Sequence, residues 1–300
     1  MVLSAPSATA TGTAPVIVVV GSLHYDIMVD APSLPRKGET VTGVAWRPKF
    51  GGKGGNQAVA ARKAGATVRM VGAVGDDSFG RFLLDELDAH EIDTASVARY
   101  AGRGSGMSVA ISDSDGDYGA VIVSGANLLA DPVSLVRPAL AGSAQALILQ
   151  NEMPESVNLA AAGAAREAGT MVCLNAAPHR PISGQFAALV DLLVVNAIEA
   201  EDYCGIAVTD LPSAATAAMA LAGRFASVVV TAGGSGVAGI APGEPLVSLP
   251  AQPVRVVSTH GAGDVFMGTL VADGPTVRGK PARCERGSCD SRVAACSRSA

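Results

Sequence analysis

Large rings are nearly missing from this chain. One Trp, four Tyr and six Phe make 4% of 300 residues, too few for a sandwich built on aromatic layers. Charge is sparse as well, at 16%, and the 22 Lys and Arg are outnumbered by 27 Asp and Glu, for a net −5. Neither a nucleic-acid face nor a polybasic membrane anchor fits that balance, and the expected partner is a small molecule. Of five cysteines, Cys284, Cys289 and Cys296 fall in the last 17 residues without His at metal-ligand spacing. That pattern is neither a disulfide framework nor a zinc site, and a cytoplasmic location is the default expectation. Long hydrophobic runs are lacking too. The uncharged stretch Phe225 to Gly243 is broken by Gly233, Gly234 and Gly236 and reads as two strands and a turn, so no transmembrane span is expected. The uncharged start lacks the basic residues and the apolar stretch of about 7 to 15 residues that a secretory signal needs. Residues 1–15 read as a flexible tail, and Val16 to Val20 as a buried strand.

What is present is small and apolar. Hydrophobic residues reach 49% and glycine 35 of 300, enough for one large core in a loop-rich α/β protein. Val16 to Gly21, Val68 to Val74, Ala146 to Gln150, Met171 to Leu174, Leu192 to Val195 and Val228 to Thr231 are continuous apolar runs, as strands covered on both faces are. Between them Asn56 to Ala64, Ser78 to His90, Glu155 to Ala168 and Ser213 to Phe225 have helix-forming composition. The alternation predicts βαβ units and a mostly parallel sheet. Two regions break it: Ile27 to Phe50, and Tyr100 to Val123 with its Ser-Asp-Gly-Asp turn at 114–117, alternate polar and apolar residues. They predict a small antiparallel β lid, drawn from about 24–50 and 100–123, over the carboxyl ends of the main strands.

Three constellations could carry chemistry. Ser258-Thr-His-Gly-Ala-Gly-Asp264 follows the strand-like Val254 to Val257 and precedes the helical Val265 to Ala272. Gly261 and Gly263 admit close backbone approach, and the helix start offers unpaired N–H groups to a phosphoryl group. Asp264 beside that anion hole could take a proton from an attacking hydroxyl. A glycine turn with Asp at a helix start is the alternative. Phe50-Gly-Gly-Lys-Gly-Gly-Asn-Gln57 lacks the Ser or Thr of a Walker A loop. Its glycines would let Lys53 and Asn56 donate to sugar hydroxyls, or it is only a strand-to-helix turn. Asn196-Ala-Ile-Glu199 places an amide and a carboxylate three residues apart, suited to waters around Mg²⁺ or to a capping box.

Together these pieces resemble the ribokinase-like carbohydrate kinases, from about Val16 to Gly268. Gly38-Glu-Thr-Val-Thr-Gly43, the run Gly-Gly-Lys-Gly-x-Asn-Gln-Ala-Val-Ala-Ala at 51–61, Val74-Gly-Asp-Asp77, Gly125-Ala-Asn127, Asn196-x-x-Glu199 and Gly261-Ala-Gly-Asp264 stand in the family's order and spacing. The resemblance implies Asp264 as the base with Gly261, Ala262 and Gly263 as anion hole. It implies Asp26, Gly52, Lys53, Asn56 and Glu152 at the sugar, Asn196 and Glu199 in the Mg²⁺-phosphate motif, and Thr231 and Gly233 on the nucleotide side. It also implies a doubly wound α/β fold with a β-sheet lid, which in the family often also forms the homodimer contact. The expected activity is transfer of the γ-phosphoryl of ATP to a primary hydroxyl of a pentose, ribose first. A kinase for another sugar or a nucleoside stays open, and so does a different class, a sugar or nucleotide binder of little or no turnover. A dinucleotide-binding dehydrogenase is disfavoured because Gly21-Ser-Leu-His lacks the Gly-x-Gly-x-x-Gly turn.

Three positions depart from the family. His24 and Tyr25 replace a smaller Asn-Ala pair, which narrows the pocket beside Asp26 or adapts it to another pentose. Ser258 replaces an Asp that helps to hold a monovalent cation, which weakens the case for potassium activation. In place of the family's closing helices, residues 273–300 are basic and aperiodic, with Arg278, Lys280, Arg283, Arg286, Arg292 and Arg298 against Glu285 and Asp290. Either a disordered tail or a shifted reading frame would produce that composition, and the kinase domain is expected to occupy 16–272.

Overall fold

The computed structural model describes residues 14–113, 118–254 and 261–274. Most of the expected amino-terminal tail, the turn at 114–117, Ser258 and the basic segment after Gly274, with its expected change of reading frame, lie outside these residues.

A nine-stranded sheet forms the body. Its strands are β1 (Val16–Val20), β4 (Thr67–Gly75), β5 (Asp93–Tyr100), β8 (Ala146–Gln150), β9 (Met171–Asn175), β10 (Leu192–Asn196), β11 (Ser227–Thr231), β12 (Gly236–Ile240) and β13 (Val247–Pro250). They lie in the order β13-β12-β11-β10-β9-β8-β1-β4-β5, parallel except at β12 and β13. Alternation along β1 explains its unbroken apolar run. Val18 and Val20 point into one core with α3 (Pro132–Leu140), α4 (Glu155–Glu167), α5 (Gly184–Ala187) and α7 (Leu211–Leu221). Ile17 and Val19 point into a second core with α1 (Lys53–Lys63), α2 (Ser78–Ala89) and α8 (Ala262–Ala272). Both faces are covered, so neither side of the strand can be polar.

A separate four-stranded sheet, in the order β3-β2-β6-β7, forms the lid from β2 (His24–Asp30), β3 (Ala45–Gly51), β6 (Met107–Ser112) and β7 (Tyr118–Val123). Its outer pairs are antiparallel, as expected, but the central pair β2–β6 is parallel. The reason is topological: β2 leaves the end of β1 and β6 follows β5, two parallel strands, so both enter the lid in the same direction. Asn127 ties this exit down. Its Oδ1 accepts from Leu23 N–H at 3.0 Å and its Nδ2 donates to Leu23 C=O at 2.9 Å, imitating a strand partner at the hinge.

The helix starting at the Gly-rich segment begins at Lys53, three residues before its expected start, because its glycines serve packing. A Cβ on Gly54 would come within 2.6 Å of the Gly21 carbonyl carbon, and one on Gly55 within 2.7 Å of the Phe50 ring. Strands β5 and β13 have no clear apolar run and were not expected, the sheet edge leaving β5 half-solvated with a mixed pattern; helix α3 was not expected either, because Pro138 lies inside it although Val133, Val136 and Leu140 stand at helical spacing.

Candidate active site

The chain order reverses between β1 and β8, where β1 leads to β4 on one side and β8 to β9 on the other. In open α/β sheets that switch point opens a crevice at the strands' carboxyl ends. A cavity of about 450 Å³ lies there, walled by Asp26, Gly52, Lys53, Asn56, Glu152, Asn196, Glu199, Thr231, Gly261, Gly263 and Asp264. Segments more than two hundred residues apart thus converge. Ala262 and Gly233 are not on its wall; Gly233 sits in the short turn after β11 with open space around its Cα, at φ +54°.

Each wall residue has a local reason for its place. Asp26 lies on the inner face of β2, buried, and accepts from Ser108 Oγ of β6 at 2.5 Å. Gly51 of the neighbouring β3, paired with His24, has no side chain because a Cβ there would fall 1.9 Å from the Asp26 carboxylate. Gly52, with φ +85°, caps α1 and turns the chain so that Lys53 N–H donates to Glu152 Oε2 at 2.9 Å. Ser22 Oγ donates to the same carboxylate oxygen. Glu152 is therefore oriented from both sides of the switch point.

Asp264 stands in the first turn of α8, after Gly261 in the left-handed region at φ +80°. The opening N–H groups of a helix have no partner within it and favour an anion, and this turn reaches the cavity at Gly261, Gly263 and Asp264. Its carboxylate is 5% exposed and is gripped at both oxygens. Asn56 Nδ2 donates to Oδ2 at 3.1 Å and Gln57 Nε2 to Oδ1 at 2.9 Å. Burial pushes its pKa above the ordinary aspartate value, against the pull of Lys53, Asn56 and Gln57 and with a smaller push from Glu152.

The Asn196 to Glu199 segment begins α6 (Ala197–Cys204) as a full capping box: Asn196 Oδ1 accepts from Glu199 N–H at 2.9 Å, and Glu199 Oε2 accepts from Asn196 N–H at 3.0 Å. The structural and chemical readings of this pair are compatible, because both residues still face the cavity. Burial raises the Glu199 pKa, opposed by the Asn196 N–H and Lys53. Among the described residues no cluster of three His, Cys, Asp or Glu side chains could hold a metal ion unaided.

Sequence reasoning did not single out Ser108, Asn175, Phe266, or Ala120 and Ile122 of β7, all on the cavity wall. None belongs to a motif, and only the cross-strand register of Ser108 with Asp26 and Ile122 brings the lid residues together. His24 lines the cavity, almost fully buried. Tyr25 points the other way, stacked on Phe79 at 4.1 Å. Of the pair, only His24 faces the cavity.

The profile of the pfkB family carbohydrate kinases matches residues 15–282. A ribokinase of Mus musculus is 36% identical over 258 residues, covering 85% of this chain and 80% of the mouse protein. A deoxyribokinase of Salmonella typhi is 31% identical, covering 84% of this chain and 83% of its own. The solved structure of Arabidopsis thaliana ribokinase complexed with ribose and ATP superposes with a TM-score of 0.77 at 30% identity, covering 87% of each chain.

Proposed function

The chain belongs to the pfkB family of carbohydrate kinases, and from that premise we propose that it transfers the γ-phosphoryl group of ATP to the primary hydroxyl of a pentose, ribose in the first instance. The carrying observation is the convergence of Asp264, at the start of α8, on the same cavity as Asp26, Lys53, Asn56 and Glu152. A buried carboxylate beside a helix N-terminus is suited to a hydroxyl nucleophile and a phosphoryl electrophile at once.

The sugar lies under the lid, with hydroxyls on the Asp26 and Glu152 carboxylates and on the Lys53 and Asn56 donors. Glu152 and Asp26 are prepared for this by Ser22, Lys53 N–H and Ser108. The primary hydroxyl donates to Asp264, which takes its proton as the oxygen attacks the γ-phosphorus. The bond from that phosphorus to the bridging oxygen breaks, and ADP leaves. N–H groups from Gly261 to Gly263 receive the charge on the transferring group, and positioning supplies most of the acceleration. Thr231 and Gly233, at the end of β11, flank the nucleotide.

The residues present fit Mg²⁺. One cavity-facing carboxylate, Glu199, beside the Asn196 amide, suits a cation that keeps several waters and takes its other ligands from substrate phosphates. Bound there, Mg²⁺ would neutralise phosphate charge. Glu199 would hold it through a water or directly; Asn196 chiefly fixes Glu199, since its Oδ1 is already engaged by the cap.

A homodimer through the lid also fits the register. Asp26, Ser108 and Ile122 face the cavity, so Ile27, Val29, Trp46, Val109, Ile111, Val121 and Val123 share the opposite face. Trp46 is 64% and Val121 67% exposed there, an apolar surface of the kind that interfaces cover.

Coupled measurement of ADP release with ribose, 2-deoxyribose and other sugars tests the activity. Sugar-dependent release led by ribose supports it; no release with any sugar, despite measurable sugar binding, would make the chain a binding protein.

A further inference from the structure

Gln57 has as yet no part in the reaction. Its side chain is 0% exposed and off the cavity wall, so it touches no substrate. It nevertheless donates to Asp264 Oδ1 in a fully buried contact, whereas the Asn56 contact to Oδ2 is only partly buried and lies on the wall. The carboxylate therefore has an inward oxygen and an outward one.

Packing alone does not call for an amide here. Gln57 Oε1 has no hydrogen-bond partner among the described residues, and neither polar atom of the buried Gln150 carboxamide at the end of β8 has one. An unpaired buried carbonyl is unfavourable, and a thioether or alkyl chain would fill the space without it. The position is also held rigidly. A Cβ on Gly268 of α8 would come within 2.5 Å of the Gln57 main-chain oxygen and 2.7 Å of Ala60 Cβ, so the two helices touch backbone to backbone at this point. The Gln57 to Asp264 distance follows from that crossing.

We infer that Gln57 is a positioning residue that holds Oδ1 of Asp264 inside the protein and so presents Oδ2 to the sugar hydroxyl as the proton acceptor. The inference rests on Asp264 being the base. The charged groups around the carboxylate are Lys53 of α1, Glu152 after β8 and Glu199 of α6, with Asp26 of β2 also on the cavity wall; they set its charge, while Gln57 sets its orientation.

The test compares Gln57→Met, Gln57→Glu and Asp264→Asn in the full chain, with melting temperature, sugar KM, kcat and the pH profile of kcat as readouts. Gln57→Met should leave the sugar KM within about twofold and lower kcat at least ~10-fold, since small misplacement of a reacting group is costly. The acid limb of its kcat profile should move up by about one pH unit, because a donor to the charged carboxylate is lost. Gln57→Glu, which puts an acceptor against Oδ1, should lower kcat further. A folded Gln57→Met with kcat within twofold of the parent and an unmoved acid limb overturns the inference. Near-parent turnover in Asp264→Asn instead removes the base itself, a separate failure. Should neither Gln57 variant fold, the unaltered protein crystallised with ribose decides: a primary hydroxyl on Oδ2 supports the assignment, and one on Oδ1 refutes it.

Discussion

Replacing Asp264 by Asn probes the base most directly, and the surroundings of the side chain set what should happen. The carboxylate accepts one amide hydrogen at each oxygen, at 3.1 and 2.9 Å. Asparagine offers one oxygen and one NH₂, so one of the two donors must face another donor, at about 1 to 3 kcal/mol for the group left unpaired. Against this stands relief from a buried charge. The folded-state pKa of Asp264 is raised by burial, so its contribution to stability is present at low pH and lost as pH rises through that value. The melting temperature of the variant relative to the parent should therefore improve as pH rises from the ordinary aspartate range through the raised folded-state value. Turnover behaves differently. A neutral amide cannot take the hydroxyl proton, and kcat should fall by ~10² to 10⁴-fold, or ~3 to 5 kcal/mol of barrier. Sugar affinity should change less than about tenfold, because Asp26, Lys53 and Glu152 are untouched and the lost contact is one hydrogen bond. Steady-state ADP release across sugar concentrations, with sugar binding by calorimetry and melting at several pH values, reads all three quantities. Turnover within tenfold of the parent in a folded variant would refute the assignment.

Asp26→Ala removes a charge-assisted acceptor worth about 1.5 to 3 kcal/mol, so the ribose KM should rise roughly 10- to 150-fold while the ATP KM stays near its parent value; equal rises would place Asp26 elsewhere. Asp77 caps α2 through Gly80 N–H at 2.7 Å and also accepts from Ser105 N–H and Oγ at 2.8 and 2.7 Å. Although desolvation pushes the other way, those hydrogen bonds and Arg81 hold its pKa below the ordinary aspartate value. Asp77→Ala should cost about 1 to 2 kcal/mol at neutral pH, and the difference should shrink as pH falls through the lowered folded-state pKa; a pH-independent difference in urea melts would contradict this. Gly54→Ala should destabilise by about 1 to 3 kcal/mol, because its Cβ would meet the Gly21 backbone at 2.6 Å; an unchanged urea midpoint would show that α1 can shift. Trp46→Glu combined with Val121→Lys should yield monomers in sedimentation if the outer lid face joins two copies, and an unaltered sedimentation coefficient would remove that face from consideration.

How much of this could be read before folding depends on how local each signal is. The central strands were legible because burial on both faces leaves β1, and β8 and β10 up to their last residues, no polar option, whereas β5 and β13 at the edges are partly solvated and lose the pattern. The glycines at 51 to 55 were visible as a cluster, but their reason was not. Gly51 makes room for the Asp26 carboxylate, and Gly54 and Gly55 let α1 press on Gly21 and Phe50, all contacts across the fold. The site shows the same division. Asp264, Lys53, Asn56 and Glu199 sit in short motifs whose chemistry can be named from spacing, and the structure brings them to one cavity. Ser108 and Ile122 reach it only through strand register in the lid, and the amide that holds Asp264 from within depends on two helices meeting at Gly268. Cavity groups carried in short motifs were thus readable in sequence. The groups that orient them were not, because orientation comes from long-range packing that no spacing along the chain records.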